Sequence, residues 1–151
     1  MNKDKHKKII RDIGFSLLSE GKVIKIRADG YSMYPSVKPG SIVHIQAITE
    51  DTAPIPGEIV VWKRESKFVV HRLIRIIQNN DNILYVTRGD SCSNEDAPDS
   101  ADKLVGKVIR IEDPKGCITT GNDLIRKPYY LLNRSLVRIL IIFRKLMRIL
   151  H

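Results

Sequence analysis

The stretch Pro56-Gly57-Glu58-Ile59-Val60-Val61-Trp62-Lys63-Arg64-Glu65-Ser66-Lys67-Phe68-Val69-Val70-His71-Arg72-Leu73 decides how the chain reads. A Pro-Gly turn opens it, a run of β-branched and aromatic residues follows, and a short polar connection leads to a second apolar run. That is the signature of two antiparallel strands joined by a hairpin. The first strand is expected over Glu58–Lys63 and the second over Phe68–Ile77. On the second, period-two alternation puts Val69, His71 and Leu73 on one face.

Working outward, the same grammar recurs. Lys22–Ala28 alternates, with Ile24, Ile26 and Ala28 on one side and Val23, Lys25 and Arg27 on the other. Ser41–Gln46, Ile83–Thr87 and Leu104–Glu112 are further strands, and Pro54–Gly57, Gln78–Asn82 and Asp113–Gly116 are turns. Short strands with regular turn signals imply a mainly β domain. Residues 4–20 carry Ile10, Ile13, Leu17 and Leu18 near helical spacing and stop at Gly21, so an amphipathic helix is expected before the first strand. From Tyr129 the period changes again. Leu132, Leu136, Ile139, Phe143, Met147 and Leu150 fall on one helical stripe, and Arg134, Arg138, Lys145 and Arg148 on another. The division expected is a β body with its N-terminal helix (1–21) over residues 1–127, and a basic amphipathic helix over 128–151.

The chain has 151 residues and a net charge of +9, which is unevenly placed. Residues 1–11 contribute +4, residues 131–151 contribute +5, and the body between is neutral. A neutral body with basic ends does not resemble a domain-wide nucleic-acid face, so no specific nucleic-acid partner is expected. Burying the C-terminal arginines in a bilayer would cost roughly 2.5–3.5 kcal/mol each near its centre. The segment reads instead as an interfacial helix whose partner is a membrane surface or a membrane protein, with packing on the chain's own body as the alternative. A peripheral membrane or cytoplasmic location is expected. Cys92 and Cys117 have no metal-ligand spacing, and neither metal nor cofactor is expected.

One loop stands out for chemistry. Gly30-Tyr31-Ser32-Met33-Tyr34-Pro35-Ser36-Val37-Lys38-Pro39-Gly40 holds Ser32 between glycines and stiffening prolines. By itself it fits a turn. A nucleophilic serine needs a base, and a group to orient that base. His6 and His151 lie at the charged ends, and His44 stands in the short strand after the loop. His71 fits better, because the apolar residues sharing its face favour an uncharged imidazole. The acid would come from the polar loop Arg88–Ala101, through Asp90 or Asp96. Arg88-Gly89-Asp90 also spells an adhesion sequence, a string of three that recurs by chance.

Taken in order, Gly30-Tyr31-Ser32-Met33-Tyr34-Pro35, Pro56-Gly57-Glu58-Ile59-Val60-Val61, Val69-Val70-His71-Arg72-Leu73, Thr87-Arg88-Gly89-Asp90 and Val105-Gly106-Lys107-Val108 resemble the signal peptidase I and LexA-like serine peptidase superfamily over roughly residues 22–112. His71 stands where many members have a lysine, so the chain is similar to the histidine branch of archaeal and endoplasmic-reticulum signal peptidases. The resemblance implies a β-barrel-type catalytic domain with Ser32 as nucleophile, His71 as base and Asp96 as the acid that orients it. It makes Asp90 a structural or secondary acid, and Gly30, Met33 and Pro35 the loop around an oxyanion hole of backbone N–H groups. It implies cleavage of a leader or signal-like peptide in a peptide or protein substrate. Ser41, Glu58 and Ser91 depart from the family's Gly-Asp pattern and read as turn or capping positions. The N-terminal membrane span usual in signal peptidases is replaced by the amphipathic stretch. Two other functions stay open: a non-catalytic peptide-binding or assembly factor on the same fold, and a LexA-like self-cleaving regulator.

Overall fold

A computed structural model describes residues 3–65, 67–79 and 82–149. Ser66, Asn80 and Asp81, read as turn residues, and Leu150 and His151 lie outside the described residues. The element order is α1 (Lys3–Ser19), β1 (Ile24–Arg27), β2 (Ile42–Gln46), β3 (Ile59–Arg64), β4 (Lys67–Asn79), β5 (Asn82–Arg88), β6 (Asp99–Ser100), β7 (Leu104–Glu112), β8 (Ile118–Thr120) and α2 (Tyr130–Ile149), with short 3-10 turns between. The eight strands form one antiparallel sheet in the order β1-β2-β7-β3-β4-β5-β6, and β8 adds to β7. The mainly β reading with a helix at each end therefore holds. The short strands β6 and β8 carry too little apolar pattern to be seen in the sequence.

β3 lies inside the sheet and is buried on both faces, which is why its sequence is continuously apolar instead of alternating. Ile59 and Val61 join a cluster with Leu18, Ile24, Met33, Val37, Val43, Ile45, Val108, Ile111 and Leu124. Val60 and Trp62 point the other way, onto Leu73 and Leu104. Bulges at His44/Ile45, Val61/Trp62 and Leu73/Arg75 bend the ladder. At Gly106 a Cβ would meet the Gln46 carbonyl at 2.6 Å, so the glycine in Val105-Gly106-Lys107 lets β7 pass close to the end of β2.

Two stretches of strand edge remain open. Among the described residues β1 pairs only with β2. Lys67–Val70 of β4 pair with β3, whereas pairing of β4 to β5 begins at Arg72. Helix α1 lies near both, with Phe15 stacked on Phe68 at a centroid distance of 4.2 Å and Gly14 against the same ring. Between them lies an apolar groove of about 990 Å³, lined by Ile10, Ile13 and Leu17 of α1, Ile24 to Ala28, Lys67 to Val70, and Gly30, Ser32 and Met33.

Candidate active site

The serine loop leaves β1 and returns to β2 through a closed set of turns. Ala28 and Ser41 are joined by a backbone hydrogen bond (2.9 Å), Gly40 donates to the Ala28 carbonyl, and Val37 donates to Met33 (2.9 Å). Met33 and Val37 are buried in the larger apolar cluster and anchor the loop, while Pro35 follows a cis peptide bond. A Cβ on Gly30 would meet nothing within 4 Å, so open space adjoins the loop at Gly30.

His71 lies opposite Val60 in the β3–β4 ladder and so faces the Trp62 side of the sheet. Its Nδ1 is 2.6 Å from Asp96 Oδ2. Burial works to raise the Asp96 carboxyl, but hydrogen bonds from His71 and Thr87 overcome it and hold the group below its ordinary value. An ionised Asp96 can only accept, so Nδ1 carries the proton and donates it, which leaves Nε2 to act on other groups. Thr87 donates its hydroxyl to the same Oδ2 at 2.6 Å and accepts from Trp62 Nε1 at 3.1 Å. Because the indole is donor-only, the Thr87 proton is committed to Asp96. Asp96 N also donates to the Thr87 carbonyl (2.7 Å). Trp62 and Thr87 thus complete a fixed chain to the histidine that the sequence reading missed. Position was the only signal: both fall on the His71 face of strands next to β4.

Gly89 is where the histidine and the serine loop meet. A Cβ there would stand 3.2 Å from His71 Nε2, 2.6 Å from the Ser32 carbonyl and 2.5 Å from Cys92 Sγ. Ser91, one of the departures from the family pattern, fastens this junction. Its N–H donates to the Ser32 carbonyl (2.9 Å), and its hydroxyl reaches the carbonyls of Tyr31 (2.6 Å) and Ser32 (3.1 Å). Among the described residues Ser32 Oγ makes no hydrogen bond with His71; such bonds often form only when substrate is bound.

Asp90 lies apart from this chain. It is fully buried, and Arg72 grips both its oxygens at 2.8 and 2.7 Å while Ser36 donates to Oδ2 at 2.5 Å. Arg72 also donates to the carbonyls of Gly57 (2.6 Å) and Leu124 (2.7 Å). Of the two roles considered for Asp90, this geometry supports the structural one, and a carboxylate so enclosed cannot present an adhesion sequence. His44 pairs with Glu112 at 2.8 Å across β2 and β7 and does not line the groove. Glu58 caps its own turn, accepting from Ile55 N–H at 2.9 Å. Buried Ser41 belongs to the loop closure, as its turn reading implied. Among the described residues no three His, Cys, Asp or Glu side chains converge as a metal site would require.

The profile of the family described as Peptidase S24-like matches residues 3–109. The chain belongs to that family. The match covers α1, the serine loop, both strands of the central hairpin, the Gly89 junction and most of β7. No curated protein matches the chain. Membership in a Peptidase S24-like family supports serine peptidase or LexA-like self-cleaving chemistry at this fold.

Proposed function

We propose that this S24-like chain is a serine endopeptidase that cuts a leader or signal-like peptide, with Ser32 as nucleophile, His71 as base and Asp96 as the acid that orients the base. The observation that carries the reading is the Asp96–His71 hydrogen bond, whose free ring nitrogen converges with the Ser32 backbone on Gly89. In the reaction Ser32 Oγ attacks the scissile carbonyl while His71 Nε2 takes its proton and hands it to the leaving amine. Water, deprotonated by the same Nε2, then hydrolyses the acyl-Ser32 ester, and the proton returns to Ser32. Asp96 holds the ring in the productive tautomer and stabilises the imidazolium. The oxyanion is met by backbone N–H groups of the loop at Ser32 and Met33.

The substrate enters as an extended strand in the groove between the open edges of β1 and Lys67–Val70, where main-chain hydrogen bonds set its register. The groove runs to Ser32, so a strand bound there delivers a backbone carbonyl to the hydroxyl. The apolar lining from Ile24, Ile26, Met33 and Phe68 favours apolar or small side chains before the cleaved bond. Mass spectrometry of protein N-termini in cells with wild-type or Ser32→Ala protein tests this. New N-termini that depend on Ser32 support the reading, and identical N-termini sink it.

A further inference from the structure

Helix α2 does not hide its apolar face. Asn133 is its buried residue, and its side chain donates to the Asp90 carbonyl at 3.0 Å. Tyr130 stacks under Arg88, whose guanidinium lies 3.6 Å from the ring centroid, and Arg144 reaches the Tyr31 hydroxyl. These contacts fix which side of the helix faces the body. At 100° per residue, Leu131, Leu132, Ile139, Ile142, Phe143 and Leu146 fall on the opposite half of its circumference. All six are exposed, Ile139 by 63% and Phe143 by 60%. Arg134, Arg138, Lys145 and Arg148 form one flank, and α2 carries no acid.

We propose that α2 is a docking helix for an anionic lipid surface, and that it brings the serine loop to that surface. Charge decides among the occupants. A second copy packed on the apolar half would bring two wholly cationic helices together, whereas lipid phosphates neutralise the flank as the apolar half enters the acyl boundary. No described helix is long and apolar enough to cross a membrane, which suits a segment lying in the interface plane. The contacts of α2 end on Tyr31 and Asp90, which flank Ser32 and the Gly89 junction in sequence, and the groove that reaches Ser32 is lined on its far side by exposed Ile10 and Ile13 of α1. A lipid surface on the outward half of α2 therefore lies one helix diameter, about 10 Å, from the loop that carries the serine.

The test is co-sedimentation of the full chain with vesicles of phosphatidylglycerol and phosphatidylcholine, and with phosphatidylcholine alone. It uses Ser32→Ala protein, so the outcome is independent of catalysis. Binding is expected to the anionic vesicles, and to fall at least about a hundredfold in an Arg134→Gln/Arg138→Gln/Lys145→Gln/Arg148→Gln variant, given about fivefold per cation. Ile139→Asp/Phe143→Asp, at exposed positions that leave the core intact, is expected to abolish binding with unchanged circular dichroism. Equal binding to both vesicle types overturns the proposal. So does failure to bind either, with or without a dimer in sedimentation velocity that Ile139→Asp/Phe143→Asp dissociates.

Discussion

Thr87 donates its hydroxyl to the same oxygen of Asp96 that receives the proton of His71, each at 2.6 Å. Asp96 is thus held from two sides, and the plane of the histidine ring follows from a threonine two strands away from the apolar run that begins the core. Trp62 in turn fixes the Thr87 hydroxyl.

Thr87→Val keeps the shape and removes the donor. It leaves the buried Trp62 N–H without its acceptor, at a cost of about 1–3 kcal/mol in stability. Cleavage should fall by roughly tenfold or more through looser placement of the base, with kcat more affected than KM. Thr87→Ser should restore most of both. Unfolding in urea and steady-state cleavage of a leader peptide check the two effects separately, and a Val variant with full activity would remove Thr87 from the mechanism.

Gly89→Ala places a methyl group where the Ser32 carbonyl and Cys92 Sγ already stand at 2.6 and 2.5 Å. The serine loop or the Gly89 turn must move, and a displacement of about 1 Å at a reacting group costs on the order of a hundredfold in rate. Adding Cys92→Ala relieves the sulfur but not the backbone oxygen, so the double variant should stay slow. Recovery of wild-type rate in that double variant would show that the junction is not what aligns the serine.

Arg72 and Asp90 form a buried pair, 1% and 0% exposed, that joins the serine loop, the Gly57 turn, the Gly89 loop and the segment before α2. Asp90→Ala leaves the guanidinium buried and unpaired, and should destabilise by about 3–5 kcal/mol. Arg72→Met/Asp90→Leu should recover part of that loss. Urea midpoints for the three proteins decide it. A midpoint for Asp90→Ala close to wild type would show that the pair is not structural.

Because Asp96 titrates below its ordinary value in the folded chain, the unfolded chain takes up the proton first as pH falls. Its contribution to stability is complete above the unfolded carboxyl value and is lost as pH drops through the folded one. The difference in urea midpoint between wild type and Asp96→Asn should therefore hold steady above about pH 5 and shrink below about pH 4. A difference that grows on acidification would reverse the assigned charge state.

Much of this was legible in the sequence. Ile59–Trp62 and Phe68–Leu73 announced the hairpin because a strand buried on both faces must be apolar throughout, and alternation put His71 beside Val69 and Leu73. The order of short motifs marked Ser32, His71 and Asp96 as candidates. The α2 stripe was visible as period alone, since helical spacing is a local property of the chain. What only the tertiary structure decided is which distant groups share an oxygen, a carbonyl or a face. Asp96 and Asp90 are six residues apart in one polar loop, and in sequence only the resemblance, not their own surroundings, told them apart. One points to His71 and Thr87, and the other is enclosed by Arg72 and Ser36. Composition cannot separate them, because direction in a loop is set by the partners that close around it. The same holds for α2: the sequence shows that it has an apolar side, and Asn133, Tyr130 and Arg144 determine that this side faces outward.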